Sequence, residues 1–194
     1  VIIFRLHFLR KRGRERGVTL VELMVVIAIA AILATIGVPS MLTFIQNNRL
    51  VSQANILLGS LNEARSHAVA RARPVTVCGS ADGGACNGNW SAGWMSFVDT
   101  DGNGARAAGE EVRAFVSGVP DGVAIRLAGE VVSIRFTREG SVAEERRHTF
   151  SICDGRGSGS ARGVIVLPTG GTRAATDADG NGVRDDASGS DIQC

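Results

Sequence analysis

The chain has 194 residues, with 21 Lys+Arg against 19 Asp+Glu and a formal net charge of +2. The first 17 residues carry six of those basic groups (Arg5, Arg10, Lys11, Arg12, Arg14, Arg16) and one acid, Glu15, so the remainder keeps 15 basic against 18 acidic residues, net −3. Bulk charge beyond residue 17 gives a polyanion partner no support, and the absence of any lysine after Lys11 argues against a fibre cross-linked through lysine.

From Val18 to Val38 the sequence is an apolar run whose only charge is Glu22. About 20 apolar residues suffice to span a bilayer as a helix. A carboxylate in such a run costs roughly 2.5–3.5 kcal/mol at mid-membrane, so Glu22 asks for a partner. The basic leader stays cytoplasmic by the positive-inside rule, which puts everything after Val38 on the exported side. A secretory signal peptide fits poorly. Its apolar core should be about 7–15 residues and end at a small-x-small site, whereas this run leads into a further helix.

After Pro39, residues Leu42, Ile45, Leu50, Ala54, Leu57, Leu58, Leu61, Ala64 and Ala68 recur at steps of three and four, with polar residues between them. This is helical periodicity with one buried stripe. One long helix is expected from Val18 to Arg71, kinked or loosened near Gly37 and Pro39 and ended by Pro74. Beyond it the signals are short β runs separated by Gly, Asp and Asn: 75–78, 94–98, 112–116, 123–127, 131–136, 149–153 and 164–167. Residues 154–163 and 169–194 read as loops. The expected organisation is a leader (1–17), a membrane or filament-core helix (18–38), the amphipathic second half of that helix (39–73) and a β-rich head (74–194). The fold class is α+β, with the helix packed on an antiparallel sheet.

All four cysteines, Cys78, Cys86, Cys153 and Cys194, fall on the exported side, which favours two disulfides. Three pairings are open. Cys78–Cys86 with Cys153–Cys194 is favoured, because the first closes a Gly-rich loop and the second ties down a polar tail. Zinc fits less well, since the spacing has no paired C-x-x-C units.

The stretch Arg16-Gly17-Val18-Thr19-Leu20-Val21-Glu22 resembles the prepilin signal of the type IV pilin superfamily. The resemblance implies that prepilin peptidase cuts between Gly17 and Val18 and methylates the new terminus. It also implies that Glu22, fifth from Val18, pairs with the terminal amine of a neighbouring subunit. Val18 stands where the family usually has phenylalanine and keeps the apolar character. Asn48-Arg49-Leu50, Leu61-Asn62-Glu63-Ala64-Arg65-Ser66, Val77-Cys78, Trp90-x-x-Gly93-Trp94 with Phe97, Thr149-Phe150-x-Ile152-Cys153-Asp154 and Leu167-Pro168-Thr169-Gly170 look like the GspH/FimT branch of minor pilins and pseudopilins. That likeness implies a pilin-like fold, a single-pass inner-membrane stage with a periplasmic head, then a pilus or pseudopilus, with other pilins or pseudopilins as partners. It implies a minor pilin supporting pilus assembly near the tip, or alternatively a type II secretion pseudopilin.

Some members of the branch bind DNA through a C-terminal Gly-Arg-x-Arg element. Here the stretch reads Gly170-Gly171-Thr172-Arg173, so only Arg173 is kept. One exposed arginine followed by Asp177 and Asp179 is easily screened by salt, and DNA is not favoured even with Arg146, Arg147, Arg156 and Arg162 as candidates for a patch. Asp99-x-Asp101-x-Asn103-Gly104 followed by Glu110 has calcium-loop spacing, but β runs flank it where an EF-hand has helices, and a plain hairpin turn uses the same residues. Asp177-Ala178-Asp179-Gly180-Asn181-Gly182 repeats the opening with Asp185 nearby, but Ser188 holds the twelfth position. Catalysis has no support, since no G-x-S-x-G elbow occurs and only His67 and His148 follow the leader.

Overall fold

The computed structural model describes residues 17–129 and 131–194, so the basic leader over 1–16 lies outside the described residues. One helix, α1, runs from Leu20 to Arg71. The chain divides into two units, Val1–Thr43 and Phe44–Cys194.

In the first unit α1 is apolar on every side. Leu20, Leu23, Ile27, Leu33 and Ile36 are all exposed, and a helix of this kind needs lipid or protein around it. Thr19 starts it as an N-cap, its Oγ1 accepting the Glu22 N–H at 3.2 Å, the T-x-x-E arrangement that satisfies an orphan donor of the first turn. The helical hydrogen-bond pattern continues through Gly37 and Pro39. A proline removes a single donor, and the turns on either side hold the ladder.

In the second unit α1 buries Leu50, Ala54, Leu57, Leu61, Ala64 and Ala68, alternating steps of four and three along one face. The expected stripe begins too early, because Leu42 and Ile45 are exposed and core packing on the helix starts at Leu50. The helix ends before Pro74 is reached. Ala72 has φ 50°, the Arg73 N–H bonds to the Ala68 carbonyl and the Ala72 N–H to the Val69 carbonyl. This is a Schellman cap with alanine in the left-handed position that glycine normally takes. Ala72→Gly is therefore expected to raise stability by about 0.5–1 kcal/mol, read as a higher denaturant midpoint at unchanged slope. No gain, or a loss, would mean that the cap is not formed in solution.

Among the described residues eight strands follow: β1 (Val75–Gly79), β2 (Gly93–Val98), β3 (Val112–Ser117), β4 (Val123–Leu127), β5 (Ser133–Phe136), β6 (His148–Asp154), β7 (Arg162–Val166) and β8 (Thr172–Ala174). They form two antiparallel four-stranded sheets, ordered β3-β2-β1-β5 and β4-β6-β7-β8. Two segments expected as loops carry structure: β8 pairs with β7, and Ser158–Ser160 makes a 3-10 turn.

The inner faces of both sheets share one core with α1. Val75, Val77 and Phe136 come from the first sheet, and Phe150, Ile152 and Val164 from the second. Alternation sends the intervening residues outward, yet they too are buried. Cys78, Met95 and Phe97 pack beneath Cys86 and Val112. Cys153, Ile165, Ala175 and Ile192 form a matching cluster over the second sheet. Each outer cover is held by a disulfide, Cys78–Cys86 and Cys153–Cys194, with sequence separations of 8 and 41. Closures of these lengths stabilise by roughly 2–4 kcal/mol each in the chain-entropy account.

Candidate functional site

Gly17 and Val18 are exposed just before the Thr19 cap, and Glu22 is exposed in the first turn of α1. A Cβ on Gly17 would meet nothing within 4 Å. The three residues thus lie on one short, accessible segment at the mouth of the apolar helix. A carboxylate in a helix's first turn is also favoured by the positive end of the helix dipole.

A set of polar ties that the periodicity did not reveal fastens the second half of α1 to the head. The Arg65 Nε donates to the Gly140 carbonyl at 2.8 Å and its NH2 group to the Thr169 carbonyl at 3.2 Å. Thr172 Oγ1 donates to Asn62 Oδ1 at 2.8 Å, and Arg156 NH1 donates to Asn47 Oδ1 at 2.9 Å. Arg156 is also paired with Asp154 at 2.7 Å, which holds the Asp154 carboxyl below its usual range. The two arginines act as fixed forks. In sequence, Asn62 and Arg65 read as ordinary solvated residues. Only their place inside the Leu61–Ser66 stretch marked them.

Of the five arginines considered for a DNA patch, two are tied up within the head. Arg156 is engaged as described, and Arg162 donates to the Ser160 and Ala161 carbonyls. Arg173 is exposed on β8, and it and Arg147 border one shallow depression that also contains Asp185 and Asp186. Acids interleave with Arg147 and Arg173 there, which weakens any field toward phosphate, and the third remaining cation, Arg146, is exposed next to Arg147 in the chain.

The Asp99–Glu110 segment folds as a turn between β2 and β3 over the outer face of the first sheet. Asp99 is fully buried. It accepts the Thr76 hydroxyl at 2.7 Å, the Asn103 N–H at 3.1 Å and the Gly104 N–H at 3.0 Å. Glu110 accepts the Thr100 N–H at 2.7 Å and the Ala107 N–H at 2.9 Å. Asp101 accepts from Asn103, and Arg135 donates to the Gly102 carbonyl. The loop's buried carboxylates thus close its own backbone, as turn-forming acids do.

The second acidic loop, 177–185, has the same pattern. Asp177 accepts the Gly180 N–H at 2.7 Å and the Gly182 N–H at 2.9 Å, and the Gly182 amide holds its carboxyl below the usual range. Asp179 accepts the Asn181 N–H at 3.1 Å, and Asn181 Oδ1 accepts the Val183 N–H at 2.7 Å. One oxygen from each of Asp177, Asp179 and Asp185 lies within 4.8 Å of the others, as is true of Asp99, Asp101 and Glu110.

A β head carried on a helix that opens Gly-Val-Thr-Leu-Val-Glu and is apolar all round defines a pilin-type subunit. The model of the family "Type II transport protein GspH" matches residues 53–170, and that of the "Prokaryotic N-terminal methylation motif" matches residues 12–38. The chain belongs to the GspH family and is a minor pilin or pseudopilin of the type IV pilin superfamily. Two crystal structures of the type IV minor pilin FimU from Pseudomonas aeruginosa share the fold. One has a TM-score of 0.57 at 23% identity over 69% of this chain and 92% of FimU. The other crystal form gives 0.55 and 22% over 66% and 93%. The minor pseudopilin EpsH of the Vibrio cholerae Type 2 Secretion System aligns at 0.46 and 13% over 67% and 98%. No curated protein matches the chain in sequence.

Proposed function

We propose that this chain is a minor pilin. Prepilin peptidase removes its leader, the inner membrane holds it by one span with the head in the periplasm, and it then packs beside other pilins in a type IV pilus, near the tip. The observation that carries the reading is the surface of α1 between Leu20 and Ile36, exposed and apolar all round with Glu22 as its single charge. Such a surface has two possible covers, lipid and the helices of neighbouring subunits, and a filament supplies the second. In that low-dielectric setting the Glu22 carboxylate needs a cation. The amine freed at Val18 of an adjacent subunit has the right charge. The role is assembly, with no catalytic group assigned.

The pilus reading is supported by the match to nearly the whole of the FimU chain. The family description, a type II transport protein, carries the alternative of a secretion pseudopilin. Glu22→Ala separates the cases. The variant is expected to insert and to be processed, to be missing from sheared filaments, and to abolish twitching motility while type II secretion continues. Loss of secretion with motility intact transfers the protein to the secretion system. Normal incorporation of the variant would sink the proposed role of Glu22.

A further inference from the structure

The two acidic loops differ at one oxygen. In the first, Glu110 at the twelfth position accepts a backbone N–H from the loop's second residue, Thr100. In the second, Asp185 at the ninth position takes over that role, its Oδ2 accepting the Ala178 N–H at 2.7 Å. Both oxygens of Asp99 and of Glu110 have donors. Asp185 is 6% exposed, and its Oδ1 is buried with no hydrogen-bond partner. A buried carboxylate oxygen without a donor or a cation is strongly disfavoured.

Among the described residues, no cation supplies the need: no arginine or histidine lies within 4.0 Å of a carboxylate oxygen of Asp177, Asp179 or Asp185. Arg147 borders the depression beside Asp185 but donates to the Ala187 carbonyl. Arg173, on the same rim, donates to Ala174.

We propose that the Asp177–Asp185 loop binds a calcium ion through side-chain oxygens of Asp177, Asp179, Asn181 and Asp185 and the carbonyl of Val183. These are positions 1, 3, 5, 7 and 9 of the loop. They offer hard oxygen donors in the number that calcium takes with water completing the shell, whereas magnesium prefers few protein ligands and keeps its waters. The loop is already braced. The Asp185 N–H bonds to the Thr176 carbonyl, Asn181 Nδ2 bonds to Asp191 at 2.9 Å, and the Ile192 N–H bonds to the Arg184 carbonyl. Ile192 is buried in the cluster over the second sheet and Cys194 is bonded to Cys153. The ion adds a third fastening to the same tail. The site stands apart from the filament reading and is tested apart from it.

The test uses the purified full chain in detergent, stripped with chelator and titrated with calcium chloride by calorimetry. Binding is expected with a Kd on the order of 10⁻⁴–10⁻³ M, the range of extracellular modules, together with a rise in melting temperature. Asp185→Asn should remove one equivalent of bound calcium. Asp179→Ala, at an exposed position, should remove the same equivalent or weaken it at least tenfold, and Asp101→Ala should leave it in place. Should Asp185→Asn fail to fold, Asp179→Ala decides alone. The proposal is overturned if the unmodified chain binds no calcium at ten times that concentration range, or if Asp179→Ala keeps every equivalent at unchanged affinity.

Discussion

Gly17→Leu is expected to leave the protein as an uncleaved precursor in the membrane, with no detectable mature form. The geometry makes this a clean experiment, because a Cβ at Gly17 meets nothing within 4 Å and the Thr19 cap is untouched. A block in processing therefore reports on the peptidase's fit around residue 17 and not on damage to the fold. Mass spectrometry of the unmodified protein should find a mature chain beginning at a methylated Val18. An amino terminus elsewhere, or a Gly17→Leu precursor that still enters filaments, defeats the pilin-type processing on which the proposed function rests.

Gly170→Ala is expected to cost about 3–5 kcal/mol, enough to unfold a marginally stable head. Two effects add. Gly170 has φ 79°, a conformation that costs an L-residue roughly 1–2 kcal/mol. The added Cβ would also stand 1.8 Å from the Gly140 carbonyl oxygen, and that same oxygen accepts the Arg65 Nε. The carbonyl is backbone and cannot swing aside, so the substitution both overpacks the turn and pulls away the helix tie. Gly171→Ala is the control. Its Cβ would find only ordinary contacts at 3.7 Å, to Leu167 and Thr169, and its melting temperature should stay near that of the parent. Equal melting of the two variants would show that the contact between the 140 and 170 turns is not formed.

The long helix, the β head and most strands were legible in the sequence, since Leu50 to Ala68 and the Val/Ile runs carry their own periodicity. The two disulfides are the pairs favoured there. The start of the buried stripe was not legible. Leu42 and Ile45 continue the helical repeat without a head residue to cover them, and the repeat alone cannot say where packing begins. Thr172–Ala174 was missed for a related reason. Three residues with one β-branched side chain hold no pattern, and only the register with Val164–Val166 makes them a strand. Around the candidate sites, spacing found both acidic loops but ranked them on the twelfth position. It could not show that Asp185 reaches back to Ala178, nor that Glu110 is already occupied by backbone amides. Arg65 was hidden by distance, its partners lying 75 and 104 residues further along.

The ties at Asn47, Asn62 and Arg65 also set how the head bears load. They are spread along the same stretch of α1 that buries the Leu50–Ala68 stripe and reach three separate places in the head: the Asp154–Arg156 corner, β8, and the facing turns at Gly140 and Thr169. A pull directed along the helix axis would strain these bonds side by side, in shear, together with the packed stripe, and would not peel them open one after another. Tension along the helix would thus pass through these ties chiefly into β6, β8 and the β7–β8 turn of the second sheet, and through the Gly140 turn to the end of β5.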